Sequence, residues 1–439
     1  MTGSGRISLR KSLLSILFWS VISAAFIGPG TVTTASTAGA LFKLDLAWAL
    51  GFATFACIVV QEAAARVTIG SGKTLGEAIT IRYGSSKPKI WIAVAVIFGC
   101  GAYQAGNILG AVNGAKLAFN FPTSASTVAI VGLCAILLWF GTGKAIIQIL
   151  GLLVAIMGIM FIIVAAGFDF SGFDVLKKVF SPSLPEGSEL ITIGLIGTTI
   201  VPYNLFLGSG ISEGQSLIEM RIGIFFAVLI GGIISLAVLI AGTSVMGEMT
   251  FPALMEALVK LEGPGAGYLL GLGLFAAGFT SSMTAPLASA ITGRSLLSTV
   301  KNKWASNSSS YRLTWGLVLF TGFLFGISNT QPVPVIIAAQ AINGLLLPFI
   351  TVFLLFIIND SKIMMPESLN KKWQNLMMLI IVLFTCFLGI FNIFKAISKA
   401  FAINLQNNIA MTIVLVPALT ITIWAGLNVF KNRKFTPGK

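Results

Sequence analysis

The stretch Gly28-Pro29-Gly30-Thr31 lies in the middle of an uncharged, mostly apolar run that extends from Ser12 to Phe42. A transmembrane helix needs about 20 apolar residues, and this run is clearly longer. A Gly-Pro-Gly sequence inside it predicts a helix that is split into two halves at mid-membrane depth. Loose backbone in a membrane is tolerated only where protein buries it or where it lines a cavity. The break is therefore a candidate binding site.

The composition of the whole chain is that of a polytopic membrane protein. Of the 439 residues, 56% are hydrophobic and only 10% are charged, whereas about a quarter of the residues in soluble proteins are charged. The net charge of +14 would also suit a nucleic-acid-binding protein, but the basic residues fall in short loops between apolar runs. We therefore expect a lipid bilayer as the partner and no nucleic acid.

The apolar runs predict an all-α polytopic membrane protein with about twelve transmembrane helices. The predicted spans are 13–42 (broken), 46–69, 90–118, 125–142, 145–168, 188–210 (broken), 222–246, 264–293, 312–329, 333–358, 374–396 and 408–430. With both termini inside, the inside segments hold 21 Lys and Arg residues and the outside segments hold 7. Because inside loops are enriched in Lys and Arg, we expect a multi-pass protein of the plasma membrane with both termini cytoplasmic.

Several kinds of chemistry are excluded because the chain lacks the residue types or the spacings that they need. The chain contains no histidine, so a histidine-based proton relay or zinc site is excluded. The four cysteines, which lie singly within apolar runs, are interpreted as small core residues. Gly70-Ser71-Gly72-Lys73-Thr74 is not a phosphate-binding loop, because Val67 stands where the motif needs its first glycine. No acid/base pair, nucleophile or cofactor motif is found, so we expect no enzyme.

A second break lies in predicted span 6. Pro202 and its polar neighbours Tyr203 and Asn204 interrupt the apolar run 188–210, five spans after the break at Pro29. Paired interrupted helices at corresponding positions of two halves indicate an inverted-repeat transporter with its substrate site near the membrane midplane. The alternative is a pair of ordinary proline kinks, which are common in membrane helices.

Both breaks resemble motifs of the Nramp divalent-metal transporters. The segment from Gly28 to Ala40 is similar to the family's Asp-Pro-Gly-Asn segment of helix 1, and Val201–Leu207 is similar to its Met-Pro-His-Asn-Leu-x-Leu segment of helix 6. Further similarities lie at Thr74–Glu77, Ala276–Ser282, Gln340–Gly344, Leu347–Phe349 and Ile358–Met364. The resemblance implies the APC-type 5+5 inverted repeat with broken helices 1 and 6.

This fold implies a division of the chain into five parts. They are a cytoplasmic N-terminus at 1–12, a first inverted repeat at 13–168 (helices 1–5), a second at 188–358 (helices 6–10), helices 11 and 12 at 374–430, and a cytoplasmic tail at 431–439.

The metal-binding residues of the family are absent from the matching positions. The resemblance would place metal-ligating Asp, Asn and Met residues where this chain has Gly28, Thr31 and Val201. In span 3, Gln104 and Asn107 stand where the family usually has an acidic pair for proton transfer. A divalent-metal site of the family type is therefore not expected.

The predicted site suits a small anion better than a cation. The half-helices that begin near Thr31 and Leu205 each present an N-terminus to the break, equivalent to about +0.5 charge with free N–H donors. Neutral side chains can add hydrogen bonds, although helix packing and local capping explain the same hydroxyls. The predicted substrate-binding residues are Gly28, Gly30, Thr31, Thr34, Thr198, Val201, Tyr203, Asn204, Gln104 and Asn107.

An anion that enters against a negative membrane potential needs a driving ion. Span 8 offers Thr280, Ser281 and Ser282, which with backbone near Ala25 would form an oxygen-only Na⁺ site similar to that of sodium-coupled APC-type relatives. Packing of small residues explains the same run. Apart from Na⁺ as a coupling ion, no cofactor is expected.

These observations predict a secondary active transporter that moves a small inorganic anion by alternating access, with bicarbonate as the first substrate and Na⁺ as the symported ion. One alternative is a transporter of a divalent ion such as Mg²⁺ or Mn²⁺, because hydrated Mg²⁺ needs few protein ligands. Another is a non-transporting sensor. The oligomeric state is left open, and the sequence is compatible with a monomer.

Overall fold

The computed structural model describes residues 27–84, 87–141, 144–298, 304–328, 330–401 and 407–434. Within these ranges the chain forms α-helices joined by short connections, and no strand occurs there. The helices are α1 (Pro29–Phe42), α2 (Ala47–Ser71), α3 (Leu75–Tyr83), α4 (Lys87–Phe119), α5 (Thr123–Phe140), α6 (Lys144–Ala166), α7 (Gly172–Val179), α8 (Glu189–Thr199), α9 (Pro202–Ile211), α10 (Leu217–Gly242), α11 (Phe251–Glu262), α12 (Pro264–Leu297), α13 (Ser309–Ile327), α14 (Pro332–Ile358), α15 (Lys372–Ala400) and α16 (Asn407–Lys434).

The structure confirms the predicted all-helical membrane fold. Eleven helical segments within the described residues are long and apolar enough to cross a membrane, and α8 with α9 counts as one of them. The first half of predicted span 1, up to Phe26, lies outside the described residues. Every span predicted from 46–69 onward corresponds to one helix, or to the pair α8 and α9.

The two helices that follow the breaks begin earlier than the sequence predicted. They start at Pro29 and Pro202 rather than near Thr31 and Leu205. Proline is favoured at the first helical position, since its fixed φ suits the helix and the N–H that it lacks would have no partner there. Each proline therefore starts a half-helix, and the extended residues of the breaks are Gly28 and Val201.

Three short helices lie between the spans and were not predicted. They are α3, α7 and α11, which fall outside the long apolar runs. The side chain of Thr74 and that of Glu77 form a capping box that begins α3. A similar box between Ser216 and Glu219 starts α10 at Leu217 rather than at the predicted 222. Local capping thus decides boundaries that hydropathy leaves open.

Glycine allows several of the long helices to pack backbone against backbone. A Cβ on Gly114 would overlap the backbone of Phe275, and one on Gly278 would overlap the backbone of Ala111, so α4 and α12 are in direct contact. Such approach by small residues is typical of helix association in membranes. The α4–α12 pair forms one wall of the protein centre.

The half-helix α1 is enclosed by the rest of the bundle. It packs against α4, α8, α10 and α14. A Cβ on Gly39 would overlap the carbonyl oxygen of Leu239, and one on Gly242 would overlap the backbone of Ser36, so α1 and α10 are also in backbone contact. All residues of α1 from Pro29 to Gly39 are buried.

An ion-pair network closes one end of the bundle. Arg66, at 2% exposure, binds the carboxylate of Glu62, donates to the carbonyl of Ser368 and donates to Asn370 Oδ1 at 2.6 Å. Arg221 binds the same Glu62 carboxylate at 2.9 Å. These bonds connect α2, the start of α10 and the segment that precedes α15.

Candidate functional site

Three consecutive buried residues, Gly28, Pro29 and Gly30, form the first break. Gly28 is extended and buried, and it caps α1 without any side-chain hydrogen bond. Pro29 packs against Gly110 of α4 so closely that a Cβ at position 110 would overlap its ring. Gly30 lies under the side-chain amide of Gln340, which a Cβ on Gly30 would displace. Packing therefore leaves no room for a side chain at position 30 beside Gln340, or at position 110 beside Pro29.

The second break has a corresponding form. Helix α8 ends at Thr199, and Val201 is the extended N-cap of α9, again with no side-chain hydrogen bond. A Cβ on Gly197 would overlap the Gln340 carbonyl and the backbone of Gly344, which brings α8 against α14. Gln340 therefore contacts the residues of both breaks.

A hydrogen bond joins the two breaks directly. The hydroxyl oxygens of Thr31 and Thr198 are 2.9 Å apart, and both side chains are buried. Thr198 lies four residues before Pro202, so the N-terminus of α9 is within about 14 Å of this contact. The structure thus brings two of the predicted substrate-binding residues together at the centre of the bundle.

Two tyrosines lie beside this contact. The rings of Tyr103 and Tyr203 meet edge to face, with centroids 5.6 Å apart, and both side chains are at most 1% exposed. The Tyr103 hydroxyl lies close to Thr198 but outside hydrogen-bond geometry, and the Tyr203 hydroxyl has no hydrogen-bond partner in the described residues. Among the described residues, the centre therefore presents one phenol group, that of Tyr203, without a hydrogen-bond partner, and a second, that of Tyr103, beside Thr198.

Further buried polar atoms near the breaks lack a hydrogen-bond partner within the described part of the chain. Gln61 Nε2 donates to the carbonyl of Asn204 at 3.2 Å, whereas the Asn204 side-chain nitrogen has no partner in the described residues. Thr34 packs near Gly194 and Gln340. On α1 and α14, the buried side-chain atoms without a partner among the described residues are Thr33 Oγ1, Thr34 Oγ1, Gln340 Oε1 and Asn343 Oδ1. Because an unpaired buried polar atom costs about 1–3 kcal/mol, these groups favour the binding of a polar ligand.

Gln104 and Asn107 are placed differently from the other predicted residues. Gln104 Nε2 donates to the carbonyl of Ser282 at 3.1 Å, and Asn107 Nδ2 donates to Gln104 Oε1 at 3.5 Å. Both side chains are buried between α4 and α12. These amides connect the two helices, at the position where the resemblance would place proton-transfer acids.

The predicted sodium-site residues lie on α12. Thr280 Oγ1 donates to the carbonyls of Ala276 and Ala277, so its hydroxyl proton is used within its own helix. Ser281 and Ser282 are buried, and the Ser282 hydroxyl has no partner among the described atoms. Ala25 lies outside the described residues. Within the described ranges, the Ser282 hydroxyl is therefore available to a bound ion, whereas that of Thr280 is not.

The electrostatics of the centre are set by backbone rather than by charged side chains. Neither α1 nor α9 has an acidic residue in its first turn. The described ranges contain no group of three His, Cys, Asp or Glu side chains that could hold a metal ion. The helix N-termini at Pro29 and Pro202 therefore keep their partial positive charges without a neighbouring carboxylate on the same helix.

Three central residues were not among the predicted site residues. Tyr103 precedes a predicted residue directly, Gln61 contacts Asn204, and Gln340 lies in a motif that was noted only for its resemblance. An uncharged polar residue inside an apolar span was the available signal for each.

Comparison with known proteins places the chain in a family. The model for Nramp, "Natural resistance-associated macrophage protein-like", matches residues 20–395. The chain belongs to the Nramp family. It is 25% identical over 407 residues to the divalent metal cation transporter MntH of Yersinia pestis (strain Pestoides F), covering 87% of this chain and 95% of that protein. MntH of Verminephrobacter eiseniae is 26% identical over 350 residues, which cover 75% of this chain and 77% of that protein.

Solved structures show the same fold. Crystal structures of the Eremococcus coleocola manganese transporter superpose with a TM-score of 0.72 at 18% identity, covering 98% of this chain and 97% of theirs. Mhp1, a nucleobase-cation-symport-1 family transporter, matches in its closed conformation with a TM-score of 0.52 at 15% identity, covering 96% of both chains. By family and fold, the protein is a multi-pass Nramp-family transporter, which agrees with the expectation that it is not an enzyme.

Proposed function

We propose that this Nramp-family protein moves a small inorganic anion by alternating access, with bicarbonate as the first substrate to test. One observation carries the proposal: the N-caps of α1 and α9 are Gly28 and Val201, which have no side-chain oxygen, and no acidic residue follows in either first turn. Helix N-termini attract anions through free N–H groups and a partial positive charge. Nothing on these two helices offsets that charge.

The neutral groups around the breaks support an oxyanion. The backbone N–H of Gly30 lies in the first turn of α1, where N–H groups have no partner within the helix. Hydroxyl and amide groups of Thr34, Thr198, Tyr203 and Asn204 surround the two breaks and can donate to an oxygen. A compact, singly charged oxyanion such as bicarbonate can accept several of these bonds at once.

The divalent-metal alternative is favoured by the names of the relatives. They are called divalent metal cation transporters or a manganese transporter, and these names support that alternative better than bicarbonate. The groups around the breaks argue against a transition metal, because the first turns of α1 and α9 hold no carboxylate. A carboxylate at ~4 Å would contribute roughly 8 kcal/mol of attraction to a divalent ion at an effective dielectric of about 20. Hydrated Mg²⁺, which needs few protein ligands, is the divalent ion most compatible with these neutral groups.

The coupling ion and the membrane orientation belong to the same proposal. Na⁺ would be held by oxygen atoms of Thr280, Ser281 and Ser282 together with backbone near Ala25. The plasma membrane, cytoplasmic termini and the division into repeats 13–168 and 188–358 are proposed with it. A non-transporting sensor is the remaining alternative.

The test is transport by the full-length protein in proteoliposomes. Vesicles that contain a pH-sensitive dye receive an outside bicarbonate gradient with or without an inward Na⁺ gradient, and parallel vesicles contain a dye that responds to Mn²⁺ and Mg²⁺. We expect a bicarbonate-dependent internal pH change that grows with the Na⁺ gradient, together with no metal signal.

Each other outcome has a defined meaning. Uptake of Mn²⁺ or Mg²⁺ without a bicarbonate signal would replace the anion proposal with the divalent-metal alternative. Bicarbonate uptake that does not change with the Na⁺ gradient would reject only the proposal that Na⁺ is the coupling ion. If no ion moves in vesicles whose protein is shown to be folded, the sensor alternative is favoured.

A further inference from the structure

A cavity of about 540 Å³ lies at the end of the bundle that is closed by the Arg66 network. It is separate from the two breaks, and its walls come from α2, the first turns of α10, the segment 367–371 and the start of α15. Its volume lies within the range of roughly 300–1,000 Å³ typical of small-molecule sites.

One side of the cavity is polar, with an excess of positive charge. Its charged lining residues are Glu62, Arg66, Arg221, Glu367 and Lys371, three cations against two carboxylates. The donors of Arg66 are used by Glu62, Ser368 and Asn370. The hydrogen bond described for Arg221 uses only its Nε, and Lys371 forms no ion pair within the described ranges. Two cations therefore keep binding capacity for an anion.

The other side of the cavity is apolar and continues onto the outer surface of the bundle. Phe55, Phe225 and Trp373 line it and are 39%, 45% and 57% exposed. Tryptophan is typical of the level of the lipid headgroups, where its ring is apolar and its N–H is wet. A soluble anion would leave this wall unused, whereas a phospholipid would cover it.

We propose that this cavity binds an anionic phospholipid. The phosphate accepts hydrogen bonds from Arg221 and Lys371, and the upper part of the acyl chains lies along Phe55, Phe225 and Trp373. Basic pockets between transmembrane helices are suited to anionic headgroups. The bound lipid would connect α2, α10 and α15 at the end of the bundle that the topology proposal places in the cytoplasm. This inference does not depend on the identity of the transported ion.

Brominated lipids, which quench nearby tryptophans, provide the test. The full-length protein is reconstituted in phosphatidylcholine vesicles with increasing brominated phosphatidylglycerol, and subtraction of the Trp373→Phe variant isolates the Trp373 signal. We expect quenching that saturates at a low phosphatidylglycerol fraction. Arg221→Gln and Lys371→Gln should each weaken the apparent affinity about fivefold, the effect expected for one cation near anionic lipid.

Lys73→Gln is the matched control, because Lys73 is exposed in the connection between α2 and α3 but does not line the cavity. It should leave the quenching curve unchanged, and a thermal unfolding scan shows that each variant is folded. Equal quenching by brominated phosphatidylcholine, or equal effects of Lys73→Gln and Lys371→Gln, would overturn the proposal. Release of the lipid by soluble glycerophosphoglycerol or inorganic phosphate would show that the cavity binds a soluble phosphate instead.

Discussion

The hydroxyl oxygens of Thr31 and Thr198 lie 2.9 Å apart although 167 residues separate them in the chain. This hydrogen bond connects the helix that follows the first break with the helix that precedes the second. Both side chains are buried, so water in the surrounding solvent does not replace the bond.

Thr198→Val keeps the shape of the side chain and removes its hydroxyl. Because the variant loses the Thr31–Thr198 hydrogen bond and the substrate loses a donor, we expect uptake of the transported ion to fall by up to about tenfold, in line with a net contribution of ~0.5–1.5 kcal/mol for one hydrogen bond. Thr37→Val is the control, since the Thr37 hydroxyl bonds only to the Thr33 carbonyl of its own helix. Equal losses in both variants would show that the Thr31–Thr198 bond has no special role.

Gly28→Asp should separate stability from transport. Gly28 has the extended backbone of an N-cap, and an aspartate there can accept hydrogen bonds from the first turn of α1. We expect the protein to lose anion uptake, because the carboxylate occupies the N–H groups that the anion needs, and to gain no more than about 0.3 kcal/mol of stability, since aspartate is only slightly better than glycine as an N-cap. Thermal unfolding and proteoliposome uptake measure the two effects. Unchanged uptake would place the substrate elsewhere.

Gly110→Ala tests the packing that holds the first break. The added methyl group would overlap the Pro29 ring, and overpacking of this kind costs about 1–3 kcal/mol. Gly132→Ala is the control, because nothing lies within 4 Å of a Cβ at that position. A lower thermal unfolding midpoint for Gly110→Ala than for Gly132→Ala is expected, and similar midpoints would contradict this account of the break.

Arg66→Met removes the buried cation that binds Glu62. The side chain of Arg66 is 3% exposed, so its loss leaves Glu62 with Arg221 alone and removes a buried donor from the Ser368 carbonyl and from Asn370 Oδ1, at a cost of about 1–3 kcal/mol. Lys260→Ala breaks an ion pair whose side chains are 71% and 69% exposed, and should change stability far less than Arg66→Met does. Chemical unfolding of both variants in the same detergent measures the difference. A cost below 1 kcal/mol for Arg66→Met would argue against the network.

Tyr83 gives a pH dependence outside the membrane spans. Burial raises the pKa of the Tyr83 phenol, and the neighbouring Arg82 guanidinium lowers that pKa by a smaller amount. The folded state therefore favours the neutral phenol, and its contribution to stability is lost as pH rises beyond the ordinary tyrosine pKa of about 10. Above that pH, the thermal unfolding midpoint of the wild-type protein should fall more steeply with pH than that of Tyr83→Phe. If the unfolding midpoints of the two proteins change in parallel with pH, the raised pKa of Tyr83 would be contradicted.

The spans were predictable because each consists of a long apolar run, and the breaks were predictable because proline and glycine interrupt those runs at Pro29 and Pro202. The short helices α3, α7 and α11 were missed, since they depend on local caps rather than on hydropathy. Gln340 was missed as a site residue because the residues it contacts, such as Gly30 and Gly197, are distant in sequence. Hydropathy identifies a membrane helix, but it does not identify which of its residues meet at the protein centre.

The backbone contact between α1 and α10 has a mechanical consequence. At Gly39 and Gly242 no side chain separates the two helices, so one cannot tilt or slide past the other without a clash between main chains. We therefore expect α1 and α10 to move as a single rigid body when the centre opens to either side of the membrane. The extended residue Gly28, at the start of that body, is then the natural position of the hinge.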